Sequence, residues 1–354
     1  MRDGSIERRK RSHLELCERA DVEHASKTTL LEEVELVHDA LPELALDDID
    51  LRVSFVGKRL RAPFLITGMT GGTSEAAAVN RDLAKLAERH GIAFGLGSQR
   101  AMHGSPKLAA TYRVRKAAPT TVVLANLGLN QAAVMSTAEV EALVAAVGAD
   151  ALCLHLNPAQ ELVQREGDRS FRGGLDTLKR LRRETRLPLI VKETGCGISA
   201  AVARRLVSSG VGIVDVSGAG GTSWVRVEQL RGDDRSRRLG ELYRDWGIPT
   251  GASLVQLRTS SLVRIASGGI RNALDAARAI ALGATLCGFA LPIFRAYRRG
   301  GLSGASAFLE EMIEGLRVAL LLTGARDLEA FRARPVVLGP TLQRWAAAGA
   351  AQKG

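Results

Sequence analysis

Aromatic residues are scarce, at 4% of a 354-residue chain. Few platforms are therefore available on which the bases of a nucleic acid could stack. Cysteine is rare too: Cys17, Cys153, Cys196 and Cys287 are scattered, with no CxxC pair among them. That spacing argues against a disulfide framework or a zinc site, and for buried free thiols in a reducing, cytoplasmic compartment. No apolar run approaches the length of a membrane span. The opening MRDGSIERRKRSH is charged and lacks an apolar core, so no secretory signal is expected. Positive charge is in excess: 49 Lys and Arg against 38 Asp and Glu, a net +11. Such a balance suits an anionic partner, either nucleic acid or a phosphorylated small molecule, or else it is spread over solvated faces.

From residue 61 onward a unit repeats: a short apolar run, a glycine-rich or polar turn, then a helical segment. The runs are FLIT (64–67), IAFGLG (92–97), TVVLA (121–125), ALCLHL (151–156), PLIVK (188–192), GIVDV (212–216), LVRIA (262–266) and TLCGFA (285–290). Helices are expected through His90, near 107–117, 137–147, 174–185 and 199–209, through Leu282, and last near 305–322. Eight strand-and-helix units joined by right-handed crossovers close a TM-less (β/α)8 TIM barrel, an α/β fold, in preference to an open doubly wound sheet. We divide the chain into an N-terminal arm and extension (1–60), the barrel (61–330) and a C-terminal tail (331–354). The 223–261 insertion reads as a loop plus a helix from Pro249. Residues 1–13 read either as a disordered tail or as an arm that folds over a site and clamps an anion.

Chemistry in such barrels is done at the carboxyl ends of the strands. There the run ALCLHLNPAQE (151–161) brings His155, Asn157, Gln160 and Glu161 together. A carboxylate at Glu161 could hold a divalent cation through oxygen. His155 is either a satisfied core histidine or a catalytic one. Lys192 closes the fifth strand, and an inward ammonium there calls for an anion, or for pairing with Glu193 or Asp215. Arg100 offers a planar fork to phosphate, or a surface ion pair. Glycines gather at Gly68, Gly71, Gly72, Gly218, Gly220, Gly221, Gly268 and Gly269. Gly268-Gly269 is expected to open a helix whose free N–H groups bind phosphate. With Ser217, Thr222 and Ser267 nearby, a phosphorylated cofactor is expected.

GMTGG, GSQR, NLG, HLNPAQE, VKETGCGIS, SGAGGTSW and SGGIRNALDAARAIALGA together closely resemble the type 2 isopentenyl-diphosphate isomerases, with RKRSH at the front of the match. HLNPAQE is the specific signature, whereas SGGIR…ALGA is shared among FMN-binding barrels. The resemblance implies interconversion of isopentenyl and dimethylallyl diphosphate in isoprenoid biosynthesis. It implies reduced FMN as acid and base, Mg2+ on the diphosphate and NADPH as the reductant. Carried over, Arg9, Lys10, Ser98, Gln99 and Arg100 hold the diphosphate and Gln160 contacts the substrate. Glu161 ligates the metal. Thr67, Gly68, Met69, Thr70, Ser98, Asn126, Lys192, Ser217, Thr222, Gly268, Gly269, Ala290 and Leu291 hold FMN. Gln160, His155 and Lys192 are the catalytic candidates, and His13 falls at a motif position. Moving a double bond needs a proton delivered to one carbon and removed from another. No acid other than Glu161 is evident at the strand ends, which leaves the reduced flavin as proton shuttle and Lys192 to balance its negative charge. The family also implies a homotetramer or homo-octamer.

The nearest rival is an FMN-dependent 2-hydroxy-acid oxidoreductase on the same barrel. Those enzymes resemble SNHGGR after the sixth strand, and this chain has Ala219 in place of the histidine base. A flavin enzyme reducing tRNA uridines would need a cysteine acid that NLGLN (126–130) lacks. A flavin-binding scaffold would leave Gln160, Glu161 and the RKRSH arm without a purpose.

Overall fold

The computed structural model describes residues 3–351. Its centre is a closed barrel of eight parallel strands. We number them β1 (Phe64–Ile66), β2 (Ala93–Gly95), β3 (Val123–Gly128), β4 (Ala151–His155), β5 (Leu189–Lys192), β6 (Ile213–Asp215), β7 (Val263–Ala266) and β8 (Leu286–Phe289). Each pairs in parallel with its sequence neighbours, and β8 closes on β1 through Cys287–Phe64, Gly288–Leu65 and Phe289–Ile66. All eight runs expected from the sequence are therefore strands, and the open-sheet alternative falls.

Side chains alternate along each strand, as the pleat requires. Leu65, Ala93, Leu124, Ala151, Cys153, Ile190, Ile265 and Leu286 form one buried cluster. Phe64, Ile66, Val123, Ala125, Leu152 and Leu154 belong to the larger core that packs against the helices. The antiparallel hairpin Val53–Phe55/Lys58–Leu60 contributes Phe55 and Leu60 to the first cluster and so corks the amino-terminal end of the barrel. The extension and the tail meet each other: Val34–Leu36 pairs antiparallel with Val336–Leu338.

The helices Ser74–His90, Thr137–Ala145, Gly174–Glu184, Ala200–Ser208 and Ala273–Ala281 lie where periodicity put them. Four expectations need correction. The helix near 107–117 is instead a short helix Arg100–Gly104 and a 3-10 turn Pro106–Thr111, since a proline disfavours helical backbone in the residue before it. The helix after β8 runs from Leu291 to Leu322, broken at Gly300 and Gly301 (φ −132° and 58°), and two more follow it, Leu328–Ala333 and Pro340–Ala351. The insertion holds two further helices, Trp224–Arg231 and Asp234–Leu242, before Thr250–Gln256. Their starts carry side-chain caps: Ser223 accepts from the Arg226 N–H and Asp233 from that of Ser236. Finally, residues 3–13 are no loose tail, because Asp3–Arg19 is one helix lying across the carboxyl-terminal mouth of the barrel.

Candidate active site

One cavity opens at that mouth. Arg9, Lys10 and His13 of the N-terminal helix line one side, and the turns that follow the strands line the rest. It gathers Thr67, Gly68, Met69, Thr70, Ser98, Arg100, Asn126, His155, Gln160, Glu161, Lys192, Ser217, Thr222, Gly268, Gly269, Ala290 and Leu291. These residues are far apart in sequence; closure of the barrel is what assembles them.

Gln99 is the exception. It is fully buried and absent from the lining. Its Nε2 donates to the Leu143 carbonyl (3.2 Å) and its Oε1 accepts from the Asn126 N–H (3.0 Å). In this arrangement it fixes the backbone of Asn126 and offers no group to a ligand, contrary to the role carried over for it.

Asn126 in turn fixes His155. Its Nδ2 donates to the Leu96 carbonyl at 3.0 Å, which leaves its Oδ1 to accept from His155 Nδ1 at 2.8 Å. Burial, with Lys192 and Arg100 nearby, pushes the His155 pKa down to about 4. The ring is therefore neutral near pH 7, with Nδ1 protonated and Nε2 a bare acceptor.

Beyond β4, Pro158 starts the short helix Pro158–Val163, which carries Gln160 and Glu161. Both Glu161 oxygens are anchored: Oε1 accepts from Asn157 Nδ2 (2.9 Å) and Oε2 from the Asp168 N–H (2.8 Å). The carboxylate is buried yet lines the cavity. Among the described residues no group of three or more His, Cys, Asp or Glu side chains could hold a metal. A cation at Glu161 would thus have one protein carboxylate and complete its shell with oxygens of a ligand and water, which suits Mg2+.

Lys192 Nζ donates to Ser217 Oγ (3.0 Å) and the Glu193 carbonyl (2.6 Å), and lies 3.9 Å from Asp215. Burial raises the Asp215 pKa, while Lys192, Ser267 and the Ser217 N–H oppose that rise. Lys192 is thus paired with Asp215 behind the wall and also lines the cavity.

The insertion supplies a residue that the sequence reading passed over. Glu228, on the helix Trp224–Arg231, is 1% exposed. It accepts from His13 Nε2 (2.9 Å), Gln160 Nε2 (3.3 Å) and Arg231 (2.7 and 2.9 Å). With its amide turned to suit its neighbours, Gln164 also donates to Glu228 (3.2 Å) and accepts from Arg9 Nη1 (3.0 Å). Burial works against this carboxylate, but His13 and Arg231 win and hold its pKa down at about 2. Glu228 is thus the hub joining arm, insertion and the Gln160 helix. Its sequence signal was the Ser223 cap, which turns SWVRVEQLR into a helix with one face toward the mouth.

The glycine turns bear on a phosphorylated cofactor. Gly268 and Gly269 have φ of 91° and 82°, and a Cβ on Gly268 would stand 2.1 Å from the Gly218 carbonyl oxygen. They do not open a helix as expected: that helix starts at Ala273, capped by Asn272. On this side of the mouth a helix that does bring its first turn to the cavity starts at Leu291, where free N–H groups favour an anion. Thr70 Oγ1 is buried and has no hydrogen-bond partner, and Thr70 lines the cavity. An orphaned hydroxyl among glycine turns, with hydroxyls of Thr67, Ser217, Thr222 and Ser267 around them, fits a polar phosphorylated group such as FMN. Ala219, at the place of the oxidase histidine, is buried and does not line the cavity.

The family model for FMN-dependent dehydrogenases matches residues 110–337. Solved mandelate oxidases, one of them bound to (S)-2-phenylpropionate, share the fold with a TM-score of 0.62 at 18% identity, covering 95% of this chain and 98% of theirs. Far greater likeness is found among proteins named isopentenyl-diphosphate delta-isomerase. That of a Synechococcus species is 47% identical over 96% of this chain and 98% of its own. That of Methanothermobacter thermautotrophicus is 43% identical over 96% and 95%. Identity of 43–47% over 96% of the chain shows that it belongs to the isopentenyl-diphosphate delta-isomerase family.

Proposed function

We propose that the protein interconverts isopentenyl and dimethylallyl diphosphate, with FMN in its reduced form and Mg2+ as cofactors. One observation carries this reading: a single cavity is lined both by Arg9, Lys10, Arg100 and the anchored Glu161 and by glycine turns with Lys192. The first suits a metal-bound diphosphate and the second a flavin phosphate and ring.

Thr67, Gly68, Met69, Thr70, Ser98, Asn126, Lys192, Ser217, Thr222, Gly268, Gly269, Ala290 and Leu291 would hold FMN. When bound and reduced, it supplies an electron-rich ring with an ionisable nitrogen for acid and base work. The remaining steps belong to the chain. Glu161 would hold the metal, and Arg9, Lys10, Ser98 and Arg100 would supply charge and hydrogen bonds to the diphosphate. Remote binding of this kind positions the alkene without touching it. Gln160, its amide pinned between Asn157 and Glu228, presents a fixed polar edge to the substrate. His155 stays neutral and offers Nε2 as an acceptor. Lys192 places a positive charge where the flavin would carry a negative one.

The buried acids support the flavin rather than a carboxylic acid as the proton carrier. Asp215 is spent on Lys192 and Ser267, Glu193 on the N–H groups of Thr194 and Cys196, and Glu228 on His13 and Arg231. None of the three lines the cavity.

NADPH as the reductant, a homotetrameric or homo-octameric assembly, the division at residues 60 and 330 and a cytoplasmic location complete the proposal. The four cysteines are free, and no helix among the described residues is long and apolar enough to cross a membrane. The test is anaerobic conversion of labelled isopentenyl diphosphate with Mg2+. Turnover should be full with pre-reduced FMN and slight with oxidised FMN. Equal rates would overturn the reading, and flavin reduction by lactate or glycolate would favour the oxidoreductase.

A further inference from the structure

Tyr112 lies outside every motif that marked the site, yet three parts of the mouth converge on it. It is fully buried, at 0% exposure. Its hydroxyl donates to the Ser98 carbonyl at 2.9 Å, which points an oxygen lone pair outward from that bond. Lys10 Nζ takes that lone pair, donates also to the Ser98 carbonyl (3.2 Å), and stands 5.0 Å from the centre of the Tyr112 ring. The ring itself fills the space beneath the turn after β1. A Cβ on Gly71 would meet Tyr112 Cε1 at 2.0 Å, and one on Gly72 would meet Lys10 Nζ at 3.2 Å. The adjacent Thr111 fastens the same turn, accepting from the Gly72 N–H at 2.9 Å and from Asn80 Nδ2 at 3.3 Å.

A buried ammonium is costly without an acceptor. Among the described residues no carboxylate pairs with Lys10; two oxygens and a π-face receive it. We propose that Tyr112 is a positioning residue: its hydroxyl seats the Lys10 ammonium in the cavity and thereby docks the N-terminal helix against the turns after β1 and β2. For its substrate this rests on the isomerase reading above. Burial and Arg9 already push the Lys10 pKa down to about 7, as expected for a cation that water no longer solvates.

The test is a double-mutant cycle on the FMN-loaded enzyme with Tyr112→Phe and Lys10→Met. The phenylalanine keeps the ring beneath Gly71 and removes the hydroxyl alone. Expected are a KM for isopentenyl diphosphate raised about tenfold, kcat within twofold, unchanged FMN affinity, and no further KM change when Tyr112→Phe is added to Lys10→Met. Independent, multiplicative effects, or an unaltered KM, would overturn the proposal. Tryptic cleavage gives a second readout that leaves Tyr112 intact. Lys10→Met should speed cutting at Arg8, Arg9 or Arg11 at least tenfold, and unchanged protection would overturn the docking role. Absence of isopentenyl diphosphate turnover in the unmutated enzyme would instead sink the isomerase reading, which the cleavage assay does not depend on.

Discussion

The Nδ1 atom of His155 lies 2.8 Å from Oδ1 of Asn126, and Asn126 holds that orientation because its Nδ2 is committed to the Leu96 carbonyl. The partner of Nδ1 is thus a neutral amide. Replacing it by a carboxylate, Asn126→Asp, puts an opposite charge within bonding distance and favours imidazolium. The His155 pKa should rise from about 4 by at least one unit in an NMR titration. The acid limb of the activity profile should move up in pH by the same amount, with little change at pH 7, where Nε2 stays a bare acceptor. An unmoved titration would show that the pair does not control the ring.

Glu161 stands as the sole protein carboxylate proposed for the metal. Its site should therefore be incomplete until a diphosphate arrives. Titration calorimetry of the FMN-loaded protein should give no tight Mg2+ binding alone, and clear binding once inorganic pyrophosphate is present. Glu161→Gln should abolish the second signal and cut activity by about a hundredfold. Tight Mg2+ binding without pyrophosphate would contradict this.

Lys10 has its pKa lowered from 10.5 to about 7, chiefly by burial and then by Arg9. An anionic ligand prefers the protonated form. Below pH 7 the ammonium is already charged; above it, binding must take up a proton. Affinity for the diphosphate should then weaken toward tenfold per pH unit above about 7, until the pKa of the complex is reached. Lys10→Arg, whose charge does not titrate there, should flatten the dependence.

Glu228 has its pKa held down at about 2, against an ordinary value of 4.5. A depressed carboxylate contributes stability that is fully present above 4.5 and is lost as pH falls from 4.5 toward 2. Glu228→Gln should cost about 3 kcal/mol at pH 7 and flatten the melting temperature's acid limb over that window. Because His13 and Gln160 both donate to this residue, the N-terminal arm of the variant should also be cut faster by trypsin.

Most of the barrel was legible because each of its strands is a short apolar run ended by glycine or a polar turn. PLIVK and TLCGFA carry that signal without help from tertiary contacts. The same logic brought Glu161, Lys192 and Arg100 to one mouth, since strand ends of a closed barrel share a face. What escaped the reading depends on the other side of a contact. RKRSH is polar enough to pass for a tail until Glu228 and Tyr112 are there to receive His13 and Lys10. Gln99 sits beside Arg100 in GSQR, but only the fold turns one side chain inward to Leu143 and the other to the cavity. Gly268-Gly269 looked like the start of a helix because glycine pairs punctuate turns and helix ends alike; the Asn272 cap four residues on marks the true start.

The hairpin that corks the amino-terminal end of the barrel has a consequence for traffic. With Phe55 and Leu60 sealing the base, everything that enters must use the same door, and it must do so in sequence. The flavin, whose proposed contacts are the strand ends and glycine turns, has to load first. A five-carbon substrate would follow it in past the helix carrying Arg9, Lys10 and His13, and the product would have that one opening as its way out.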